Sequence, residues 1–342
     1  MLAFKKARKD KTTKDYVIEF ENNIEEEINK LQAELKNVTY KPNKLRKFII
    51  RDPKTRTIHS SKFKDRVVHH SIVNVLELIY EQIFIFDSYA SRLNKGTHKA
   101  VTRFDKFKRK VSENHQLIKN SITNNQIKGY FLKADIKKYF DNVDHEVLIN
   151  ILRRKIKDNK VLWLIKQILD NFETKIKGKG MPLGNLTSQF FANVYLNNLD
   201  YFVKHTLRVK NYIRYVDDFL ILHENKKRLI RWKEKISGFL MKELKLELHE
   251  DKSKIKPLKN GITFLGYRIY GKYKLLRKSN LRKFQRECNQ TLTSVGRGVI
   301  TFSELLGKLN GWFGYAKHAN TYALRKKILE KVQKRLEVFM TV

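Results

Sequence analysis

Two adjacent acids, Asp217 and Asp218, stand between two apolar alternating segments, Asn211-Tyr-Ile-Arg-Tyr215 before them and Phe219-Leu-Ile-Leu-His223 after. Period-2 patterning with aromatic and β-branched residues makes each flank a strand, so the acids fall at the tip of a hairpin. Carboxylates held this close repel unless a divalent cation neutralises them. Taken alone, an Asp-Asp pair is more often an acidic surface turn. Here it has a partner upstream. Gly129-Tyr-Phe-Leu-Lys-Ala-Asp135 is an apolar strand ending on an acid, and Ile136-Lys-Lys-Tyr-Phe140-Asp141 leads into a helix. A strand-end acid plus the acidic hairpin supplies hard oxygen ligands from adjacent strands. A pair of Mg2+ ions about 3.5–4 Å apart needs such donors for in-line phosphoryl transfer.

Phosphoryl chemistry calls for a polyanionic partner, and the charge of the chain provides for one. Lys and Arg number 73 against 35 Asp and Glu, a net +38 over 342 residues, far beyond what solubility requires. Nucleic acid suits this excess better than a membrane does. The longest apolar stretch, Val73 to Phe86, is interrupted by Asn74, Glu77, Glu81 and Gln82 and is too short to span a bilayer. The N-terminal Met1-Leu-Ala-Phe-Lys-Lys has no apolar core of a secretory signal. Cys288 is the lone cysteine, which excludes an intrachain disulfide and a cysteine-based zinc cluster. A cytoplasmic protein is expected.

Along the chain, residues 14–37 carry Val17, Phe20, Ile24, Ile28 and Leu31 near helical spacing. Residues 46–58 alternate around an Asp52-Pro-Lys-Thr55 turn, predicting a hairpin that bears Arg51, Lys54 and Arg56. Helical patterns fill 66–86 and 97–113. From about 128 to 270 the order strand, helix, helix, strand hairpin, helix, strand predicts helices backing a small antiparallel sheet. Beyond 271 the pattern is helical and basic, with Leu305, Leu309, Trp312, Phe313, Tyr315 and Ala316 predicting a helix pair joined near Gly311–Gly314.

Seven segments occur in the order that reverse transcriptases show. They are Phe63-Lys-Asp65-Arg66-Val-Val-His-His70, Asp87-Ser-Tyr-Ala-Ser-Arg92-Leu-Asn-Lys-Gly96-Thr-His98, the Asp135 strand, Gly180-Met-Pro182-Leu183-Gly184-Asn185-Leu-Thr-Ser188-Gln189, the Asp217-Asp218 hairpin, Leu246-Glu-Leu-His-Glu-Asp-Lys252-Ser253, and Phe264-Leu265-Gly266-Tyr267. Over nearly its whole length the chain resembles that family. The apolar Leu183 before Gly184, with Ser188-Gln189 in place of Ser-Pro, is similar to the enzymes of diversity-generating retroelements.

The resemblance implies an α+β right-hand polymerase. Its parts would be an N-terminal helix and mixed fingers over 1–127, a ferredoxin-like palm over 128–270, and a basic helical thumb over 271–342. Asp135 and Asp217 would hold two Mg2+ ions with support from Asp218 and the backbone carbonyl of Ile136, and Lys252 would protonate departing pyrophosphate. Arg51 and Arg56, with Lys54 as a substitute for Arg51, would meet the incoming triphosphate, since guanidinium groups suit phosphate oxygens. Phe140, five residues after Asp135, would gate against a ribose 2′-hydroxyl; an isolated aromatic on a helix is more often core. Leu183 and Gly184 would adjoin the nascent base pair, the glycine letting backbone approach it. Arg92, Asn185, Ser188 and Gln189 would contact nucleic acid, although Asn185 or Ser188 could merely cap a helix. Leu265 and Gly266 would grip the primer. His69, His70 and His98 have no third ligand nearby and are expected to be core or surface residues. Gly178-Lys-Gly-Met-Pro-Leu-Gly184 has the wrong spacing for a dinucleotide fingerprint.

The implied function is RNA-directed DNA synthesis on a template RNA from dNTPs, extending a cDNA primer and error-prone at template adenines, in a bacterial or phage-infected cell. A small basic helical accessory variability protein would be the partner. An intron-derived or host-defence reverse transcriptase is the nearer alternative. A non-catalytic RNA-binding protein on a polymerase scaffold is the further one, against which the full acid trio argues.

Overall fold

The computed structural model describes residues 1–51, 55–117, 127–172, 174 and 176–340. In chain order the elements begin with α1 (Leu2–Arg8), α2 (Asp15–Asn22), α3 (Ile24–Lys36), β1 (Arg46–Ile50), β2 (Arg56–Ser60), α4 (Phe63–Tyr80) and α5 (Thr97–Val111). Then come β3 (Tyr130–Asp135), α6 (Tyr139–Asn142), α7 (His145–Arg153), α8 (Asn159–Asp170), and α9 (Leu186–Tyr201), which runs into a π-turn at Phe202–Thr206. The hairpin β4 (Tyr212–Tyr215) and β5 (Asp218–His223) follows, then α10 (Lys226–Leu244) and β6 (Lys254–Pro257). Last are β7 (Ile262–Phe264), β8 (Tyr267–Ile269), β9 (Lys274–Leu276), α11 (Lys278–Gly296), α12 (Phe302–Ala316) and α13 (Tyr322–Met340). Among the described residues no helix is long and apolar enough to cross a membrane.

Packing gathers these elements into two compact units, the first made of Met1–Gly96, Leu132–Ile221 and Lys227–Lys254. The helix expected over 14–37 is divided at Asn23, where φ is −115° and ψ is 29°. The division has a packing cause. It turns α2 so that Phe20 meets Phe63 edge-on at 5.1 Å and stacks on Phe4 at 5.8 Å, an arrangement worth more than one residue's helix propensity. β1 and β2 pair antiparallel from Arg46 opposite Ser60 to Ile50 opposite Arg56. Phe48, Ile49 and Ile50 are all exposed, so this hairpin lacks the buried face that its alternation implied. The Lys54 substitute and most of the expected turn lie outside the described residues. A four-stranded sheet follows the order β4-β5-β3-β6. Beneath it α9 is buried nearly all round, including Phe190, Val194 and Leu199 as expected.

The second unit is Thr97–Phe131, Leu222–Lys226 and Ile255–Val342. Residues 97–117, expected among the fingers, therefore pack with the C-terminal helices. Phe104 meets Phe264 at 6.1 Å, and Lys108 donates to the Tyr270 carbonyl at 2.7 Å. The division into 1–127, 128–270 and 271–342 is a functional one and stands as a proposal. β7, β8 and β9 form their own antiparallel sheet. Gly311 and Gly314 do not join two helices: both lie inside α12, and the chain turns after Ala316 instead. The apolar stripe from Leu305 through Leu309 and Trp312 to Ala316 is continuous. Its packing outweighs about 1 kcal/mol per interior glycine. Trp312 stacks on Phe284 at 3.9 Å, and Leu292, Leu305, Leu309, Ile328 and Val332 complete the cluster between α11, α12 and α13. A reciprocal capping box of Thr301 and Glu304 starts α12.

Leu292 is fully buried in that cluster. Leu292→Ala should cost about 2–5 kcal/mol by leaving a cavity, read as a lower midpoint of chemical denaturation of the full chain.

Candidate active site

The tip of the β4–β5 hairpin is a two-residue turn, since Tyr215 pairs directly with Asp218. Val216 sits there with φ of +55°, a conformation costly for a β-branched residue. A buried ion pair holds the turn in place. The Arg214 guanidinium bonds both oxygens of Asp200 at 2.7 and 2.6 Å, and both side chains are fully buried. The same guanidinium donates to the Val216 carbonyl at 3.1 Å, to Asn193 Oδ1 at 3.1 Å and to Ser88 Oγ at 3.3 Å. Tyr212 Oη donates to Asp200 at 2.7 Å. Sequence reading missed this network. Its only trace was one cation in an otherwise uncharged strand and one acid in an otherwise uncharged helix.

β3 ends on Asp135 and β5 begins on Asp218, and these strands are neighbours in the sheet. Burial pushes the Asp217 carboxyl up to about 6, and the charges of Asp218 and Asp135 push the same way. The three acids expected together are thus brought close enough to oppose one another's ionisation. Lys252 Nζ lies 3.0 Å from Asp135 Oδ1 and shares that charge. Ser253 Oγ and the His249 amide lie against the Asp135 backbone, the latter donating to its carbonyl at 2.8 Å. Ile136 is buried and bridges to Leu248. Among the described residues no three of His, Cys, Asp or Glu converge to hold an ion unaided. An open carboxylate site is the form that suits Mg2+, which takes one or two carboxylates and completes its shell from water and phosphate. The donor set fits such an ion.

Hydrogen bonds tie the neighbouring segments into one wall. The Met181 amide donates to the Phe140 carbonyl at 2.7 Å, and the His59 amide of β2 donates to the Leu183 carbonyl at 2.9 Å. Phe140, half-buried, Leu183, and the strand carrying Arg56 are therefore connected through backbone. Arg51 and Arg56 are exposed on either side of the turn of their hairpin. Gly184 has φ of +112°, and a Cβ there would come 2.7 Å from Ile58 Cγ2. The glycine is thus needed for approach of its loop to β2, a reason the sequence did not supply. Asn185 precedes α9 but makes no cap; its Oδ1 accepts from Ser61 Oγ at 3.0 Å. Ser188 is buried, whereas Gln189 is exposed and accepts from Ser91 Oγ at 3.3 Å.

The Arg92 side chain is 5 % exposed and bonds Glu81 at 2.7 Å and the Ile85 and Ser88 carbonyls, which braces its loop. Leu265 and Gly266 form the β7–β8 turn with φ of +47° and +89°, within the second unit. A Cβ on Gly266 would lie 2.4 Å from the Tyr315 hydroxyl, which donates to the Gly266 carbonyl at 3.0 Å. His69 is a core residue whose burial pushes its imidazole down to about 4, and His98 stacks on His318 at 3.7 Å.

Residues 41–269 match the family model described as reverse transcriptase (RNA-dependent DNA polymerase). The group II intron-encoded protein LtrA of Lactococcus lactis subsp. cremoris is 27% identical over 315 residues, covering 72% of this chain and 50% of that protein. Protein YkfC of Escherichia coli (strain K12) is 26% identical over 287 residues, covering 72% of each. The chain thus spans about half the length of the lactococcal protein. Among solved structures, telomerase from Candida albicans, in complex with a fragment of telomeric RNA, superposes with a TM-score of 0.52 at 12% identity. That match covers 87% of this chain and 60% of that one. The fold is accordingly the α+β right-hand polymerase fold.

Crowding of the three acids predicts a signature separate from activity. An acid raised above its unfolded value, about 3.9, weakens the fold as pH rises through the interval up to its folded value. Asp217, raised to about 6, therefore destabilises the metal-free protein most above that pH. Asp217→Asn should stabilise by about 1–3 kcal/mol at pH 8 in EDTA, with the gain vanishing near pH 4. Denaturant titrations of both proteins at the two pH values, with and without Mg2+, check this; Mg2+ should stabilise the parent and the variant far less.

Proposed function

The chain belongs to the reverse transcriptase (RNA-dependent DNA polymerase) family, and from that premise we propose that it copies a template RNA into cDNA from dNTPs. The observation that carries the reading is the meeting of Asp135, at the end of β3, with Asp217 and Asp218, at the β4–β5 turn. Divalent metal ions, generally used in this family, would here be two Mg2+ held by these acids and the Ile136 carbonyl; they would lower the pKa of the primer 3′-hydroxyl and offset triphosphate charge. Arg51 and Arg56 bind the triphosphate, and the half-buried Phe140 ring lies over the sugar and turns away a 2′-hydroxyl. Lys252, which pairs with Asp135, gives its proton to the departing pyrophosphate. Gln189, Asn185 and Ser188 line the template side of the Leu183–Gly184 loop, and Leu265 and Gly266 support the primer.

Membership of a diversity-generating retroelement rests on Leu183, where a polar residue would support the nascent pair. Leucine neither donates nor accepts. Losing one or two hydrogen bonds, each about 0.5–1.5 kcal/mol, relaxes selection roughly tenfold. Misincorporation then falls mainly opposite template adenines, and a small basic helical accessory protein is the expected partner. The intron-encoded name of the lactococcal relative favours a second reading, an intron-derived enzyme with another RNA.

Purified protein should extend oligo(dT) on poly(rA) with Mg2+, and Asp217→Asn should abolish extension while RNA binding persists. Extension near the parent rate by the folded variant would remove the metal-site assignment. Leu183→Gln should lower errors opposite template adenine roughly tenfold, with the other bases less affected. Sequenced cDNA from one mixed-base template reads this; equal errors at all four bases, or no response, would leave the intron-derived reading.

A further inference from the structure

A cleft of about 760 Å3, within the usual range for small-ligand sites, opens in the first unit among the ends of α4, α7 and α9, the π-turn, and α10. None of the residues assigned above to polymerisation lines it. Two of its lining side chains are anomalous. Tyr80 is 3% exposed and Asn197 7%, yet among the described residues the Tyr80 hydroxyl and the Asn197 Oδ1 have no hydrogen-bond partner. An unmet buried polar atom weakens a fold, so two in one cleft require a cause. Burial pushes the Tyr80 phenol up to about 12, so it stays protonated and able to donate. Asn197 Oδ1 can only accept.

The walls are aromatic. Phe202 stacks on Phe239 at 4.2 Å, and Tyr201 lies 4.9 Å from His205. Phe202–Thr206 is a π-turn, a rare departure from α-helix found mostly where a helix serves a site. At the rim Arg154 and Lys155 are exposed, against one acid, Glu243. A matching ligand is flat and aromatic, carries one N–H donor and one acceptor on its edge, and bears an anion. Nucleobase edges offer such pairs, and bases stack on aromatic side chains.

We propose that this cleft binds a nucleoside 5′-phosphate unit, its base edge on Tyr80 and Asn197, its ring against the aromatic wall and its phosphate at Arg154 and Lys155. The two oxygens are covered in the conformation seen here. Entry therefore requires the surrounding side chains to move, for which the π-turn gives room. A free nucleotide and an unpaired nucleotide of an RNA chain present the same chemistry.

Calorimetry in EDTA with AMP, GMP, CMP and UMP, and separately with single-stranded hexaribonucleotides, distinguishes these sources. Saturable binding is expected for at least one probe, weakened about tenfold by Tyr80→Phe and by Arg154→Gln. Both variants should keep the parent's primer extension, and Tyr80→Phe should keep or raise its thermal midpoint, because it deletes only an unpartnered hydroxyl. Binding of mononucleotides makes the ligand free nucleotide; binding of hexamers alone makes it RNA. No saturable heat with any probe up to roughly 10 mM would overturn the proposal. So would binding that both variants leave unchanged, or that Asp217→Asn abolishes, which would place it at the catalytic acids.

Discussion

One buried charge pair underlies the turn that carries Asp217 and Asp218. Arg214 spends its guanidinium on Asp200, Asn193, Ser88 and the Val216 carbonyl, and every one of these groups but the last comes from another segment of the chain. Desolvation opposes a charge in such a place, and Asp200 more than offsets it. Apolar residues of the same volume would fill the space as well, and ion pairs of this kind are often no more stabilising than such a replacement. They would not supply a donor to the turn carbonyl, nor fix its direction. Losing either partner strands the other in the core, at about 3–5 kcal/mol. Stability and placement of the acids thus depend on the same atoms.

A second tension runs through the electrostatics. The chain as a whole is strongly cationic, which draws in polyanions without regard to sequence. Against that background the fold concentrates three acids at adjacent strand ends and buries one deeply enough to resist ionisation. A strongly cationic chain thus carries, at one place, acids that oppose one another's ionisation.

What the sequence disclosed was the part fixed by chemistry or by short-range pattern. That Asp135, Asp217 and Asp218 come together was legible because short-range pattern puts one at a strand end and two at a hairpin tip, and the β4–β5 hairpin because its alternation is local. Arg214 and Asp200 escaped notice because their meaning lies in a contact between distant segments. Gly311 and Gly314 misled because glycine breaks helices by default, while the stripe that overrides it is satisfied only by α11 and α13. The pairing of Arg92 with Glu81 was likewise invisible, because a sequence does not show which side chains lie opposite. Gly184 was singled out for approach to a base pair; the close neighbour the fold shows is Ile58 of β2.

The Tyr315 hydroxyl, seated where any side chain on Gly266 would be, has a mechanical consequence. It links α12 to the β7–β8 turn, and Asn280 of α11 donates to the same hydroxyl at 3.2 Å. Tyr267, next in the chain, donates to the Tyr315 carbonyl at 3.0 Å. With contacts on both sides of one residue, the turn has little freedom to slide along the helix. The turn and the helix thus behave as handle and blade of one tool: a displacement of α12 carries Leu265 and Gly266 with it, with little backlash.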